Sequence, residues 1–188
     1  MELTPDTWII SDTHFGHDNI VKFCNRPQDH DSLMWRNWHD RIKSGDVVFH
    51  LGDIQTWKRP KAFDWQPKLA KLPGEKHYLK GNHDKVVPWG WTKIGDLLGE
   101  FIEEDVTRDG VPYTNNVRNY GFYQDFNGRR VLFSHYPDAW LLDWDINIHG
   151  HIHNNPYSPK IDQTRDYRNV SVEVMNYRPV RLAEILDT

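Results

Sequence analysis

The 188-residue chain carries 23 Lys and Arg against 27 Asp and Glu, a formal charge of −4, with 38% hydrophobic residues and nine Trp. That balance argues against stable binding to duplex nucleic acid, since such affinity comes mainly from Lys and Arg neutralising phosphates; the length suits a single domain over residues 1–188. No apolar run approaches the roughly 18 residues of a membrane span, Met1 to Asp6 lacks the basic start and apolar stretch of a signal peptide, and the lone Cys24 excludes an internal disulfide, so a cytoplasmic protein is expected.

Trp8-Ile9-Ile10 is the first of five short runs rich in β-branched and aromatic residues, each reading as a buried strand; the others are 47–49, 77–79, 131–133 and 146–148. Residues 18–24 predict a short helix with Cys24 on its apolar face, closed by Asn25-Arg26-Pro27. Asp31 is placed to cap a second helix running to Lys43, in which Met34, Trp38 and Ile42 form an apolar stripe and after which Ser44-Gly45 ends the turn. Pro60, Pro67 and Pro73 argue for two short helical pieces around Pro67 rather than one long helix. Pro73-Gly74 then leads into the third strand, completing a β-α-β-α-β order that favours neighbouring parallel strands. In the second half, 101–106 reads as a strand, Asp109-Gly110 and Asn115-Asn116 as turns, and Asn127-Gly128 as the tip of a hairpin between 121–126 and 129–133. Further short strands are expected to end at His149, around 170–174 and near 180–183. The residues by themselves give a mixed α/β class.

Each of the five runs is followed by carboxylate, imidazole or carboxamide groups: Asp12-Thr13-His14 with His17 close behind, Gly52-Asp53, Gly81-Asn82-His83-Asp84, His135, and Gly150-His151-Ile152-His153. Strands that deliver such groups at their C-terminal ends collect them along one rim of a sheet, where open α/β sheets place ligands. These donors suit borderline divalent ions, Mn first and then Fe, Ni or Zn, and the absence of clustered Cys argues against a structural thiolate zinc site. Two such ions about 3.5 to 4 Å apart make a nucleophile from water near neutral pH. If the last motif is extended, His151 and His153 share one side and address adjacent metals.

In this order the motifs resemble the calcineurin-like metallophosphoesterases, in particular the small bacterial and phage enzymes of that superfamily. The likeness extends through 11–17, Asn25-Arg26-Pro27, 50–53, Ser134-His135-Tyr136-Pro137 and Asn169-Val170-Ser171-Val172-Glu173, and so covers nearly the whole chain. It implies two mixed β-sheets packed as a sandwich flanked by helices, with a dinuclear metal centre at the sheet edge. By the same likeness Asp12, His14, Asp53 and His153 hold one ion, and Asp53, Asn82, His135 and His151 the other, with Asp53 bridging. A metal-bridging hydroxide would then attack the phosphoester in line while His83, kept off the metals, helps the leaving oxygen depart.

Around this set stand residues with alternative readings. Asp84 either orients His83 or caps a helix, and His17 either contacts substrate, supports the metal ligands from behind, or caps a helix. His149 reads as strand packing or as a support behind the ligands, while His30, His39, His50 and His77 read as ordinary hydrogen-bonded residues. Tyr136, with Trp89, Trp91, Trp140 and Tyr157, lies near the motifs and either stacks a nucleobase or packs the loops. Arg118, Arg129 and Arg130 are possible phosphate contacts. Lys80 and Asp84 stand where phosphoprotein phosphatases of the superfamily carry Arg and Glu, and the chain is shorter than theirs, which favours a small phosphodiesterase acting on a nucleotide, cyclic nucleotide or nucleic-acid end over a phosphomonoesterase. A non-catalytic binding module should have lost a ligand or His83, and none is missing.

Overall fold

A computed structural model describes residues 2–56, 58, 61–94, 101–105, 107–108, 111–112, 118–137, 143–155 and 164–187, with the backbone alone for those between 101 and 120. The chain order is β1 (Trp8–Ile10), α1 (Ile20–Cys24), α2 (His30–Arg41), β2 (Val47–His50), α3 (Lys61–Lys71), β3 (Glu75–Tyr78), β4 (Thr92–Lys93), β5 (Phe101–Asp105), β6 (Thr107–Arg108), β7 (Val111–Pro112), β8 (Arg118–Phe126), β9 (Arg129–Ser134), β10 (Ile146–His149), β11 (Asp166–Asn169), β12 (Val180–Arg181) and α4 (Leu182–Leu186). Two five-stranded sheets result, ordered β12-β1-β2-β3-β4 and β11-β10-β9-β8-β5. Strands β1 to β4 run parallel with β12 antiparallel to β1, and β9 to β11 run parallel with β8 antiparallel to both of its neighbours, β9 and β5, so both sheets are mixed.

Period-two alternation decides which side chains join the sheets. Ile9, Phe49, Leu51 and Leu79 meet Phe122, Phe133, Ile146 and Ile148 in one buried cluster, with the Phe49 and Phe133 rings 5.7 Å apart. Their neighbours Trp8, Ile10, Val48 and Tyr78 point the other way, onto Met34, Trp38, Ile42 and Leu69 of the helical side. The β8–β9 hairpin has the expected tip: Phe126 pairs with Arg129, and Asn127 and Gly128 take φ of 51° and 78°, the twist a two-residue hairpin turn needs. No helix among the described residues is long and apolar enough to cross a membrane.

Several local expectations are overturned. The ligand-bearing strands do not line one sheet: β1, β2 and β3 belong to the first, β9 and β10 to the second, and the rim is the common edge of both. Asp31 lies inside α2, whose preceding residue Asp29 makes no side-chain cap, because both Asp31 oxygens accept the Gly16 N–H instead. The same helix stops at Arg41, before Ser44-Gly45, since Ile42 is already extended. Residues 170–174 form a bridge and turn rather than a strand, and Ala183 is helical, with only Val180 and Arg181 paired to β1. Asp109-Gly110 falls between the paired β6 and β7, and it and Asn115-Asn116 lie outside the described residues.

Pro67 sits within a continuous α3. It cannot donate to the carbonyl four residues back, which costs on the order of 3 kcal/mol, but the amphipathic face that buries Ala62, Gln66 and Leu69 holds the helix together across the defect. We predict that Pro67→Ala raises the unfolding free energy by about 1–2 kcal/mol, the restored hydrogen bond being partly offset by a freer unfolded chain. Urea denaturation checks this, and a fall in stability would mean that the ring itself packs better than the missing bond costs.

Candidate metal centre

Three tight turns at the strand ends bring the motifs together. Asp12 and His14 follow β1, where the Asp12 N–H bonds to Gly52 O at 3.0 Å and the His14 N–H to Asp53 O at 2.9 Å, so the first two loops zip side by side. Two glycines allow the remaining approach. A Cβ on Gly81 would lie 2.2 Å from Asp53 Oδ1, and one on Gly150 would lie 2.2 Å from Asp12 Oδ2. Asp12, His14, Asp53, His151 and His153 all hold positive φ, from 48° to 70°. The left-handed region is uncommon for residues with a Cβ and marks local strain that the surroundings must impose. His151 and His153 are therefore not extended as expected; the Gly150–Asn154 stretch turns, and the two imidazoles reach the site from a curled loop.

The donor atoms converge. Asp53 Oδ2 lies 3.5 Å from His14 Nε2 and 3.4 Å from His135 Nε2. Asn82 Oδ1 lies 2.9 Å from His135 Nε2 and 3.1 Å from His151 Nδ1, while His153 Nε2 is 4.0 Å from Asp12 Oδ1. Asp12, His14 and His153 form one group able to hold a metal ion, and Asp12, Asp53 and His135 another. Asp12 is fully buried, Asp53 is 1% exposed and His135 fully buried, yet Asp12 Oδ1 and His14 Nε2 have no hydrogen-bond partner among the described residues. Buried polar atoms are normally paired, and lone-pair donors left orphaned beside carboxylates are the arrangement that a divalent cation satisfies. The residues fit such ions.

The opposite nitrogens of His135 and His153 are held by protein acceptors. His135 Nδ1 lies 2.8 Å from Leu51 O, which sets Nε2 toward Asp53. Burial alone would depress this imidazole, but Asp53 beside it raises it to about 9. Burial likewise opposes charge on His153, yet contacts with Cys24, Glu173 and Asp12 push it up to about 11. Asp53 is held below the usual carboxylate range: burial acts against this, but the positive His135 next to it outweighs that. For His14 burial dominates and lowers its affinity for protons.

Asp84 neither caps a helix nor touches the His83 ring. Its two oxygens accept the backbone N–H groups of Asp53 at 2.7 Å, Ile54 at 3.0 Å and Gly81 at 2.8 Å, so it locks the second and third loops together. Burial, then the Asp53 charge, raise it to about 6. His83 is half-buried; its N–H donates to Asp53 Oδ1 at 2.8 Å while its ring sits 5.4 Å from that of His14. His17 lies 6.5 Å from the His83 ring, in no helix, and lines a shallow hollow with Gly16, Asp18, Asn19, Thr56, Lys58 and Lys61. Tyr136 packs its ring 4.0 Å from His151. His149 is buried against Tyr167 with Nδ1 at 2.9 Å from Gly150 O, a packing residue that burial lowers to about 4.

His50 supports the Gly52 turn by accepting its N–H, His30 and His77 pair locally with Asp31 and Glu75, and His39 stays on its own helix. Arg129 and Arg130 stand at the start of β9, away from the rim at its other end, and bond to Leu186 O and Asp143. They do not reach the site. Trp91 is buried with Nε1–H on Leu69 O, Trp89 is exposed, and Trp140, Tyr157 and the Arg118 side chain lie outside the described residues. Three site residues had no role assigned from the sequence: Arg26, Ser171 and Glu173. Ser171 Oγ–H donates to Asp12 Oδ2 at 3.1 Å, and Arg26 donates to Asp12 O and Thr13 O at 2.6 and 2.8 Å. Their only signal was membership of short polar motifs far from the metal-loving clusters.

Comparison with known proteins agrees with this geometry. A model of the calcineurin-like phosphoesterase family matches residues 6–180. The chain is 34% identical over 183 residues to the uncharacterized protein MJ1445 of Methanocaldococcus jannaschii, covering 93% of this chain and 86% of that one. It is 30% identical over 174 residues to the gene 66 protein of Mycobacterium phage L5, covering 79% and 78%. Among solved structures it is similar to the protein of unknown function AQ665 from Aquifex aeolicus, at a TM-score of 0.69 and 25% identity, with 96% and 97% covered.

The raised imidazoles give a pH prediction with a definite sign. His135 and His153 keep their protons at pH 7 in metal-free protein, whereas a ligand must offer a lone pair, so metal uptake releases protons and affinity climbs as pH rises from 7 toward 9. Calorimetric titration with Mn in two buffers of different ionisation enthalpy reads this directly; a buffer-independent heat would contradict it. By linkage, the stability that His135 lends the metal-free fold is complete below its ordinary value of 6.5 and is lost as pH rises through about 9.

Proposed function

The chain belongs to the calcineurin-like phosphoesterase family and carries out metal-dependent phosphoester hydrolysis; from that premise we propose a dimetal phosphodiesterase acting on a small nucleotide, a cyclic nucleotide or a nucleic-acid end. One observation carries the proposal. The buried Asp53 Oδ2 stands between His14 Nε2 at 3.5 Å and His135 Nε2 at 3.4 Å, imidazoles that belong to different halves of the site. We assign Asp12, His14, Asp53 and His153 to one ion and Asp53, Asn82, His135 and His151 to the other, Mn being the first choice. Asp53 would serve both ions with a single negative charge. When bound, the two cations supply a nucleophile from water near neutral pH and positive charge on the phosphoryl oxygens.

The protein's own groups supply the rest. His83 is fixed through its backbone N–H on Asp53 while its ring stays half-exposed beside His14, a placement suited to giving a proton to the departing oxygen. The hollow on the His17 side carries two cations, Lys58 and Lys61, against a single acid, Asp18, which pairs with Lys61, while burial keeps the His17 imidazole uncharged. That favours an anionic extension of the substrate lying against this side, as a nucleotide provides. Tyr136, buried and packed on His151, closes that side of the site. A phosphomonoesterase would use the same ligands. Against the phosphoprotein phosphatase pattern, exposed Lys80 lacks the planar fork with which Arg grips a phosphate.

Hydrolysis of a chromogenic phosphodiester beside the matching monoester, on chelator-stripped protein with Mn restored, tests the reading. The diester is expected to turn over faster; preference for the monoester would overturn the diesterase assignment and leave the family chemistry standing. We further expect Asp53→Asn to lower kcat/KM at least about 10³-fold while His39→Ala, on an exposed helix face, stays within twofold. His83→Ala should keep its metals and lose about 10²–10⁴-fold in kcat. Metal loss in that variant would make His83 a ligand instead.

A further inference from the structure

Behind His153 lies a buried charged cluster that the proposed reaction does not use. Glu173 follows β11 with its side chain only 2% exposed, and its Oε1 takes three contacts: His153 Nδ1 at 2.9 Å, Arg26 Nε at 2.8 Å and Arg26 Nη2 at 2.7 Å. The Arg26 side chain is fully buried and also donates to Asp12 O and Thr13 O. Cys24 comes close enough to His153 and Glu173 for the three to count as a possible metal site. The Arg26 guanidinium decides against that reading, because a fixed cation already in contact with the carboxylate both neutralises it and repels a second one.

We propose that Glu173, held by Arg26, is a positioning residue for the metal centre: it accepts the His153 Nδ1–H and so presents Nε2 toward Asp12. The inference rests on the ligand assignment proposed above. A ring nitrogen facing a metal gains orientation and basicity when the opposite N–H is held by a carboxylate. Three further contacts show the same segment serving both ends of the site. Asn169 Nδ2–H donates to His153 O at 2.6 Å, fixing the backbone that carries the ring, and Asn169 Oδ1 accepts the Ser171 backbone N–H at 3.0 Å. Ser171 in turn touches Asp12 Oδ2. Residues 169–173 thus tie the loop that brings the last histidine to the loop that brings the first aspartate, although the two stand some 140 residues apart in the chain.

The test measures metal affinity, apart from turnover, by titrating stripped full-length protein with Mn alone. Glu173→Gln keeps an oxygen and loses the charge; it should weaken one of the two ions by about 10–100-fold and leave the other unchanged. Glu173→Asp keeps the charge but draws it back from His153, and should show the same selective loss, which serves if the Gln variant fails to fold. In a His153→Ala background the Glu173 substitution should make no further difference, since a residue acting through His153 has nothing left to position. Unchanged affinity for both ions, or losses that simply add in the double variant, would overturn the assignment. Selective metal loss in a protein that hydrolyses no phosphoester would support the positioning role and count only against the proposed reaction.

Discussion

Two carboxylates and several imidazoles are buried within a few ångströms of one another at the edge where the two sheets meet, and the local structure follows from having to keep them there. Taking a charged group out of water costs several kcal/mol after relaxation unless something nearby compensates. Each aspartate has one oxygen bound by protein: Asp53 Oδ1 accepts the His83 N–H, and Asp12 Oδ2 accepts the His151 N–H and the Ser171 hydroxyl. The other oxygen of each faces imidazole nitrogens. That division, one oxygen anchored and one left toward the centre, is what a cation-binding carboxylate requires and what a purely structural one avoids.

Holding this arrangement accounts for features that would otherwise be odd. Among the described residues nine without a glycine side chain have positive φ, and five of them are Asp12, His14, Asp53, His151 and His153. Such strain persists only where the surroundings over-determine it, and here the surroundings are visible. The zipped first and second loops, the Asp84 carboxylate gripping three backbone N–H groups, and the close passage of Gly81 and Gly150 leave these turns no room to relax. Below them the interleaved Phe49, Phe122, Phe133 and Ile148 lock the sheets in register, so the loops from different sheets meet at fixed distances.

Much of this was legible in the sequence where one physical signal dominated. Short β-branched runs gave β1, β2, β9 and β10, and Asn127-Gly128 gave its hairpin, because strand burial and turn chemistry are local properties. The assembly of two sheets was not readable from periodicity and came from the family likeness. Pro67 and Asp31 misled for the same reason: tertiary contacts, the buried face of α3 and the Gly16 N–H, outweighed a local preference. The metal-loving residues stood out by chemistry and order, but their curled loops did not, since Asp and His enter the left-handed region too seldom for their presence alone to mark it. Arg26 and Glu173 stayed silent because a buried ion pair between residues 147 apart is indistinguishable in sequence from two surface charges.

Under the proposed function these side chains converge to hold two divalent cations with Asp53 between them. Anomalous scattering from crystals of the protein loaded with Mn tests it most directly. The account predicts two peaks sharing Asp53, one contacted also by Asp12, His14 and His153 and the other by Asn82, His135 and His151. A single peak that leaves Asp53 unshared, or peaks at other residues, would contradict it.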